Sequence, residues 1–204
     1  MMKSKAEILV LERIENDLRH HVVTVMHSEG LYRHWRCAKT GTGLMRFDII
    51  TWPGSLCYTG DMGEYLFQRT PDMVAFMRGS CMSYEYAAEK CLAHDGWMKE
   101  WSEESFREVL AERLKEAEDD EGMVTVHRHG KRVKESVQEH IDDIVSEYEN
   151  YSSENDAMKA MYESGLWDGA DMPDCKELSF HFLWCLHAIK WFIGKIDAGE
   201  VVRS

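Results

Sequence analysis

No stretch of this chain is apolar for long enough to cross a bilayer. A span needs roughly 20 apolar residues, and the best run, Phe180 to Ile193, is broken by His181, His187 and Lys190. No membrane partner is expected. Nor does the start read as a leader: Met1-Met2-Lys3-Ser4-Lys5 is basic, but Glu7, Glu12, Glu15 and Asp17 follow where a signal peptide needs an uninterrupted apolar region. The expected location is the cytoplasm. The six cysteines, at 37, 57, 81, 91, 175 and 185, contain no closely spaced pair. That argues against a disulfide framework and against structural zinc, so reduced, metal-free thiols are expected. Absent too are the GxSxG elbow, the GxxxxGK(S/T) and GxGxxG loops and the HExxH helix, so no catalytic or cofactor motif is available and no cofactor is expected. Clustered bases are scarce. Lys131, Arg132 and Lys134 form the only group, with acids around it, and direct binding of nucleic acid through a basic groove is not expected.

What the chain does have is acid. Its 204 residues carry 37 Asp and Glu against 24 Lys and Arg, a net charge of -13. Residues 1–70 hold 9 bases and 8 acids, so the excess lies further on. Residues 135–177 hold 13 acids and only Lys159 and Lys176, and residues 100–121 hold 10 acids against Arg107, Arg113 and Lys115. A hydrophobic content of 44% is ordinary for a globular fold with a substantial core.

The opening reads as a helix, with capping-box spacing in Ser4-Lys5-Ala6-Glu7 and apolar residues at Val10, Leu11, Ile14 and Leu18. From His21 the period changes to two. Val22 to Val25, Leu31 to Cys37 and Leu44 to Trp52 read as strands, and the turns Ser28-Glu29-Gly30, Thr40 to Gly43, Trp52 to Ser55 and Thr59 to Gly63 are too short for crossover helices. A five-stranded antiparallel meander ending near Arg69 is expected, packed on the first and last helices. Beyond it the pattern is helical: a short helix capped by Thr70-Pro71-Asp72 and stopped at Gly79, a second from Cys81 to Ala93, and a third from Ser102 to Ala117. Met123 to His127 reads as a brief strand with a turn at His129-Gly130, before a fourth helix on Val137, Ile141, Ile144, Tyr148 and Tyr151. A fifth helix is expected from Ser153 to Gly165, an acidic loop from Trp167 to Asp174, and a last, buried helix opening at Asp174 with Glu177 three residues on. The fold class is α+β, a five-stranded antiparallel meander followed by a mostly helical, acidic half. It reads as a single domain over 1–204, with helix and sheet in 1–70 and the helical part in 71–204.

Candidate chemistry is dispersed. His181 and Cys185 are four apart on the last helix, with His187 beyond them, and read as core or interface residues more readily than as metal ligands. His20-His21 and His127-Arg128-His129 lie in strand or turn sequence that points neighbouring side chains apart. Arg46 and Asp48 share a strand face and Asp61 sits in the Gly60 to Gly63 turn. A cross-strand pair on a solvated surface accounts for them without chemistry.

Phe47-Asp48-Ile49-Ile50-Thr51-Trp52-Pro53-Gly54 through Gly60-Asp61-Met62-Gly63, Phe67, Arg69, Asp72-Met73, Phe76 and Arg78 resembles a block in a family of small uncharacterised proteins of tailed bacteriophages and prophages. Phe182 to Trp191 through Asp197 resembles that family's closing helix, and Tyr84 to Cys91 falls in the same order of blocks. The resemblance implies a phage or mobile-element origin and brings no catalytic residues with it.

Three readings follow. The first is a phage-encoded interaction protein in the host cytoplasm, binding a host or defence-system protein that handles nucleic acid. It would act as an anti-CRISPR-like inhibitor with carboxylates standing in for phosphates. The faces it would use are Glu103, Glu104, Glu108 and Glu112 on the third helix and Glu135, Glu139, Asp142, Asp143, Glu147 and Glu149 on the fourth. The second is a hydrolase of nucleotides or nucleic acid with a site drawn from Arg46, Asp48, Asp61, His181 or His187. The third is a homo-oligomer whose acidic helices only solvate the outside.

Overall fold

The computed structural model describes residues 4–79, 83–96, 98–116, 123–128, 131–149, 154–163 and 173–203. The chain forms two compact units. One comprises residues 1–100 and 178–204, the other residues 101–177.

The first unit opens with α1 (Lys5–Leu18), whose Ser4 Oγ accepts from the Glu7 amide as the capping spacing predicts. β1 (His21–Glu29), β2 (Tyr32–Lys39), β3 (Phe47–Trp52), β4 (Ser55–Gly60) and β5 (Gly63–Gln68) then pair in sequence, each antiparallel to the last. That is the expected meander. α2 (Met73–Met77) follows, and its cap is Asp72, which accepts from the amides of Val74 and Ala75, rather than Thr70.

Three expectations are corrected in this unit. The second helix is short, α3 (Tyr84–Glu89), and Cys91–His94 is β6, antiparallel to β5. The open edge of β5 supplies a row of backbone partners, and pairing there outweighs the local helical pattern. β7 (Lys99–Trp101) and β10 (Lys176–Leu178), which fall at the two sequence boundaries between the units, are short strands. Thus the last helix does not open at Asp174: α7 (Phe180–Asp197) is capped by Ser179, whose Oγ accepts from the Phe182 amide. Finally β11 (Val201–Arg203) lies parallel to β1, making a seven-stranded mixed sheet in the order β11-β1-β2-β3-β4-β5-β6.

Alternation along the strands divides the sheet into two faces. Val23, Trp35, Cys37, Phe47, Ile49, Leu56, Tyr58, Tyr65 and Phe67 lie in the core with Val10, Ile14 and Leu18 of α1 and Phe182, Trp184, Cys185, Ile189 and Phe192 of α7. Phe47 stacks on Tyr58 at 5.2 Å and Tyr65 meets Phe182 edge-on at 5.2 Å. Each such fully buried side chain contributes about 2 kcal/mol, which accounts for a helix apolar on nearly every side. Trp184 keeps its polar handle satisfied, Nε1 donating to Asp17 Oδ2 at 3.0 Å. The opposite face carries His34, Arg36, Asp48, Ile50, Cys57, Thr59 and Leu66.

The second unit contains α4 (Glu103–Glu116), β8 (Met123–Arg128), β9 (Lys131–Ser136), α5 (Val137–Glu149) and α6 (Glu154–Glu163). β8 and β9 form an antiparallel ribbon. Sequence periodicity anticipates β8 but runs straight from its turn into a helix; β9 is the correction, and it takes Glu135 out of the fourth helix and onto a strand. The His129-Gly130 turn, Ala117, Tyr151, Ser153, Gly165 and most of the expected acidic loop lie outside the described residues. Among the described residues no helix is long and apolar enough to cross a membrane.

Candidate functional site

Gly60 and Gly63 are register partners, so Asp61 and Met62 form a two-residue loop between β4 and β5. Gly63 takes φ +122°, a conformation open to glycine. The loop presses on the segment entering β3: the Asp61 amide donates to the Arg46 carbonyl at 3.1 Å, and Asp61 Oδ2 accepts from the Met45 amide at 2.8 Å. Met45 is the one non-glycine among the described residues with positive φ, 55°. Its carbonyl accepts from His21 Nε2 at 3.0 Å. His21 is buried, and its Nδ1 has no partner among the described residues. Burial pulls the His21 pKa below its ordinary value against the raising effect of the Met45 and Leu44 backbone, so the ring is neutral with its proton on Nε2.

This pinned loop forms one wall of an open cleft of about 340 Å³. The other walls come from Tyr65, from Asp95 and Gly96 after β6, from Glu100, and from Ser179 and His181 at the start of α7. Asp95 Oδ1 accepts from the Glu64 amide at 2.9 Å, and Glu100 Oε1 accepts from the Phe180 amide at 3.2 Å, where the positive end of α7 favours a carboxylate. Three carboxylates thus line the cleft, each with one oxygen engaged by a backbone amide, beside an exposed imidazole. Such a lining attracts ammonium and guanidinium groups and repels phosphate. Among the described residues no group of three or more His, Cys, Asp or Glu could hold a metal ion to reverse that preference.

Of the residues singled out for a hydrolytic site, Asp61 and His181 come together in this cleft; Asp95 and Glu100 join them unforeseen. Arg46, Asp48 and His187 are placed elsewhere. Arg46 is exposed and precedes β3, so it shares no strand with Asp48. Asp48 is buried and receives Arg36 Nε at 3.0 Å, Arg36 Nη2 at 2.9 Å and His34 Nε2 at 2.9 Å. Burial raises its pKa, but the bonds and charges of Arg36 and His34 outweigh that and hold it below the usual carboxylate range. His187 Nε2 and the Tyr84 hydroxyl share a hydrogen bond at 2.8 Å, and Lys190 lies 4.2 Å over the Tyr84 ring. Cys185 is buried, its Sγ donating to the Met62 carbonyl at 3.5 Å, while His181 is exposed, so the pair does not act together.

The second unit holds 22 acids and 9 bases; its -13 equals the net charge of the whole chain, and the first unit is neutral. The suggested acids are not equivalent. On α4, Phe106, Leu110 and Leu114 are buried, and Glu104, Glu108 and Glu112 are exposed. Each set repeats every four residues, and at 100° per residue the two stripes lie on opposite sides. Glu103 pairs with Arg107 at 2.8 Å. Glu135, on β9, pairs with His140, and Asp142 accepts from Gln138 at 2.9 Å. Glu139 closes a capping box with Ser136, accepting from its amide at 3.0 Å while Ser136 Oγ accepts from the Glu139 amide at 3.2 Å. Asp143 is exposed; the side chains of Glu147 and Glu149 lie outside the described residues.

No protein-family model, no curated protein and no solved structure matches this chain.

Proposed function

We propose that the chain is a phage- or prophage-encoded binding protein that presents the α4 carboxylate ridge to the basic surface of a host or defence-system protein handling nucleic acid, inhibiting it. The observation that carries this reading is the stripe Glu104, Glu108 and Glu112, exposed on the side of α4 away from its buried leucines. Its carboxylates recur about every 6 Å along the axis, a linear array of negative charge such as a nucleic-acid backbone presents. Like charges at this spacing destabilise an isolated helix by about 0.2–0.5 kcal/mol per pair, and a basic partner relieves that repulsion. The test is capture from bacterial lysate on the immobilised chain and on a Glu104→Lys, Glu108→Lys, Glu112→Lys variant. Partners of the expected kind are retained only by the parent chain, leave with added salt, and are displaced by nucleic acid. Identical retention by both would remove the proposal.

A second reading, a hydrolase, is favoured by one observation: Asp61 and His181 line the same cleft. Loss of a hydrolytic activity on Asp61→Asn with folding intact would favour it.

A further inference from the structure

We infer that the cleft beside the Asp61 loop is a site for an extended organic cation, its ammonium groups taken by the carboxylates of Asp61, Asp95 and Glu100 and by the Tyr65 hydroxyl. Tyr65 distinguishes this cleft from a mere group of acids. It lines the cleft although it is only 2% exposed, its ring held 5.2 Å from that of Phe182 in the core. Its hydroxyl bonds to no described residue. Among the described residues the sealed polar atoms without a partner are His21 Nδ1, the Tyr58 hydroxyl and His140 Nε2, so the Tyr65 hydroxyl is not sealed in and opens on the cleft.

A Cβ on Gly63 would lie 3.0 Å from Tyr65 Cε2, 3.1 Å from its hydroxyl and 3.2 Å from Asp95 Oδ1. The tip of the phenol and the Asp95 carboxylate therefore meet over one bare backbone position, where any side chain would press on both. Burial, with Cys185 and Asp95 close by, raises the Tyr65 pKa, so near neutral pH the group is an uncharged hydroxyl with lone pairs for an N–H donor.

The three carboxylates reach the cleft on separate segments, the β4–β5 loop, the residue after β6, and β7. Each gives one oxygen to a backbone amide, of Met45, Glu64 and Phe180 respectively, and its other oxygen has no partner among the described residues. Among those residues no Lys or Arg lines the cleft or forms an ion pair with any of the three. A guanidinium gains most from two parallel bonds to one carboxylate, which a carboxylate with one oxygen engaged offers poorly. An ammonium is a compact charge with three donors and takes single oxygens from different residues. The carboxylates do not gather closely enough to hold one metal ion, and a chain joining two or three ammonium groups answers them better than a point ion. The volume of about 340 Å³ falls in the range of small-molecule sites, about 300–1,000 Å³. This inference needs neither the α4 ridge nor any reaction at Asp61 and His181.

The experiment is isothermal titration calorimetry of the full chain with spermidine at physiological salt, where a Debye length of about 8 Å weakens loose association with the acidic unit. The Glu104→Lys, Glu108→Lys, Glu112→Lys variant should bind like the parent. An Asp95→Asn, Glu100→Gln variant should bind at least about tenfold more weakly, and Tyr65→Phe about threefold to tenfold more weakly, with thermal melts as the fold control. Should Tyr65→Phe melt early, Asp61→Asn, at an exposed position, should still bind about tenfold more weakly. Trilysine and triarginine peptides complete the series. Trilysine binding as tightly as spermidine would support the site with lysines of a partner protein as its ligand, and weaker binding would support it with a free polyamine. Absence of spermidine binding, equal affinity of parent and Asp95→Asn, Glu100→Gln variant, equal affinity of a folded Tyr65→Phe variant, or triarginine binding more tightly than trilysine would each overturn the proposal. So would loss of binding in the α4 variant, which would assign the cation to the acidic unit.

Discussion

Gly60 and Phe47 are register partners on β4 and β3, and a Cβ on Gly60 would lie 2.7 Å from the Phe47 Cα and 2.4 Å from the Arg46 carbonyl oxygen. Both obstacles are backbone or core, and neither can swing aside. Gly60→Ala is expected to cost about 3 kcal/mol and to shift the loop that carries Asp61. A urea titration monitored by tryptophan fluorescence measures it; an unchanged midpoint would show that the entry to β3 yields.

Asp48 anchors Arg36 and His34 from a buried position. Asp48→Asn keeps the shape and removes the charge that both partners bond, and the expected loss is about 1–3 kcal/mol. The sign with pH follows from a folded pKa held below 3.8: this carboxylate's stabilisation is complete above that value and lost as the pH falls through the folded value. Wild type and variant should converge in stability at strongly acid pH. Denaturant titrations across that range report the convergence.

His21 works in the same direction at milder pH. Its folded pKa lies below the ordinary 6.5, so the neutral ring stabilises fully above 6.5 and that contribution fades as the pH falls toward the folded value. Thermal melts from pH 7.5 down to about 5 should show a fall in stability that His21→Gln reduces. A fall of equal size in the variant assigns the effect to other groups.

The thiols should sort by burial. Cys37 and Cys185 are buried and their pKa values are driven far above the ordinary range by desolvation, and burial pushes Cys91 up to about 11. In the native protein near neutral pH, iodoacetamide should leave Cys37 and Cys185 unmodified while denatured protein reacts at every thiol, a contrast read by peptide mass spectrometry. Rapid native labelling of Cys185 would mean that α7 opens.

The strands of the meander were legible because each alternates: Leu56, Tyr58, Tyr65 and Phe67 face inward, with Cys57, Glu64 and Leu66 between them. Cys91-Leu92-Ala93-His94 carries no such alternation, and only the waiting edge of β5 makes it a strand. Lys131 to Ser136 is equally opaque; its pairing with β8 defines it. The start of α7 was misplaced because Asp174 and Glu177 imitate the capping spacing that Ser179 fulfils. Asp61 and His181 reach one cleft from positions far apart, which no spacing rule detects, and Asp95 left only a turn signature with Gly96. The Ser136–Glu139 capping box, by contrast, was readable, and it would have marked Glu139 as a poor candidate for a partner-facing acid.

Val23 pairs with Val201, and the two strands that contain them complete one edge of the sheet. At ~5–20 residues per second, a ribosome places roughly 10–35 s between those two valines. For that interval the nascent sheet has Phe47, Tyr58 and Phe67 without the α7 aromatics that bury them, an apolar surface suited to chaperone capture. Closure awaits the emergence of β11 from the exit tunnel, since until then it cannot reach β1. Residues 101–177 emerge whole before that moment, so during synthesis the acidic unit is available while the unit that flanks it in sequence is still incomplete.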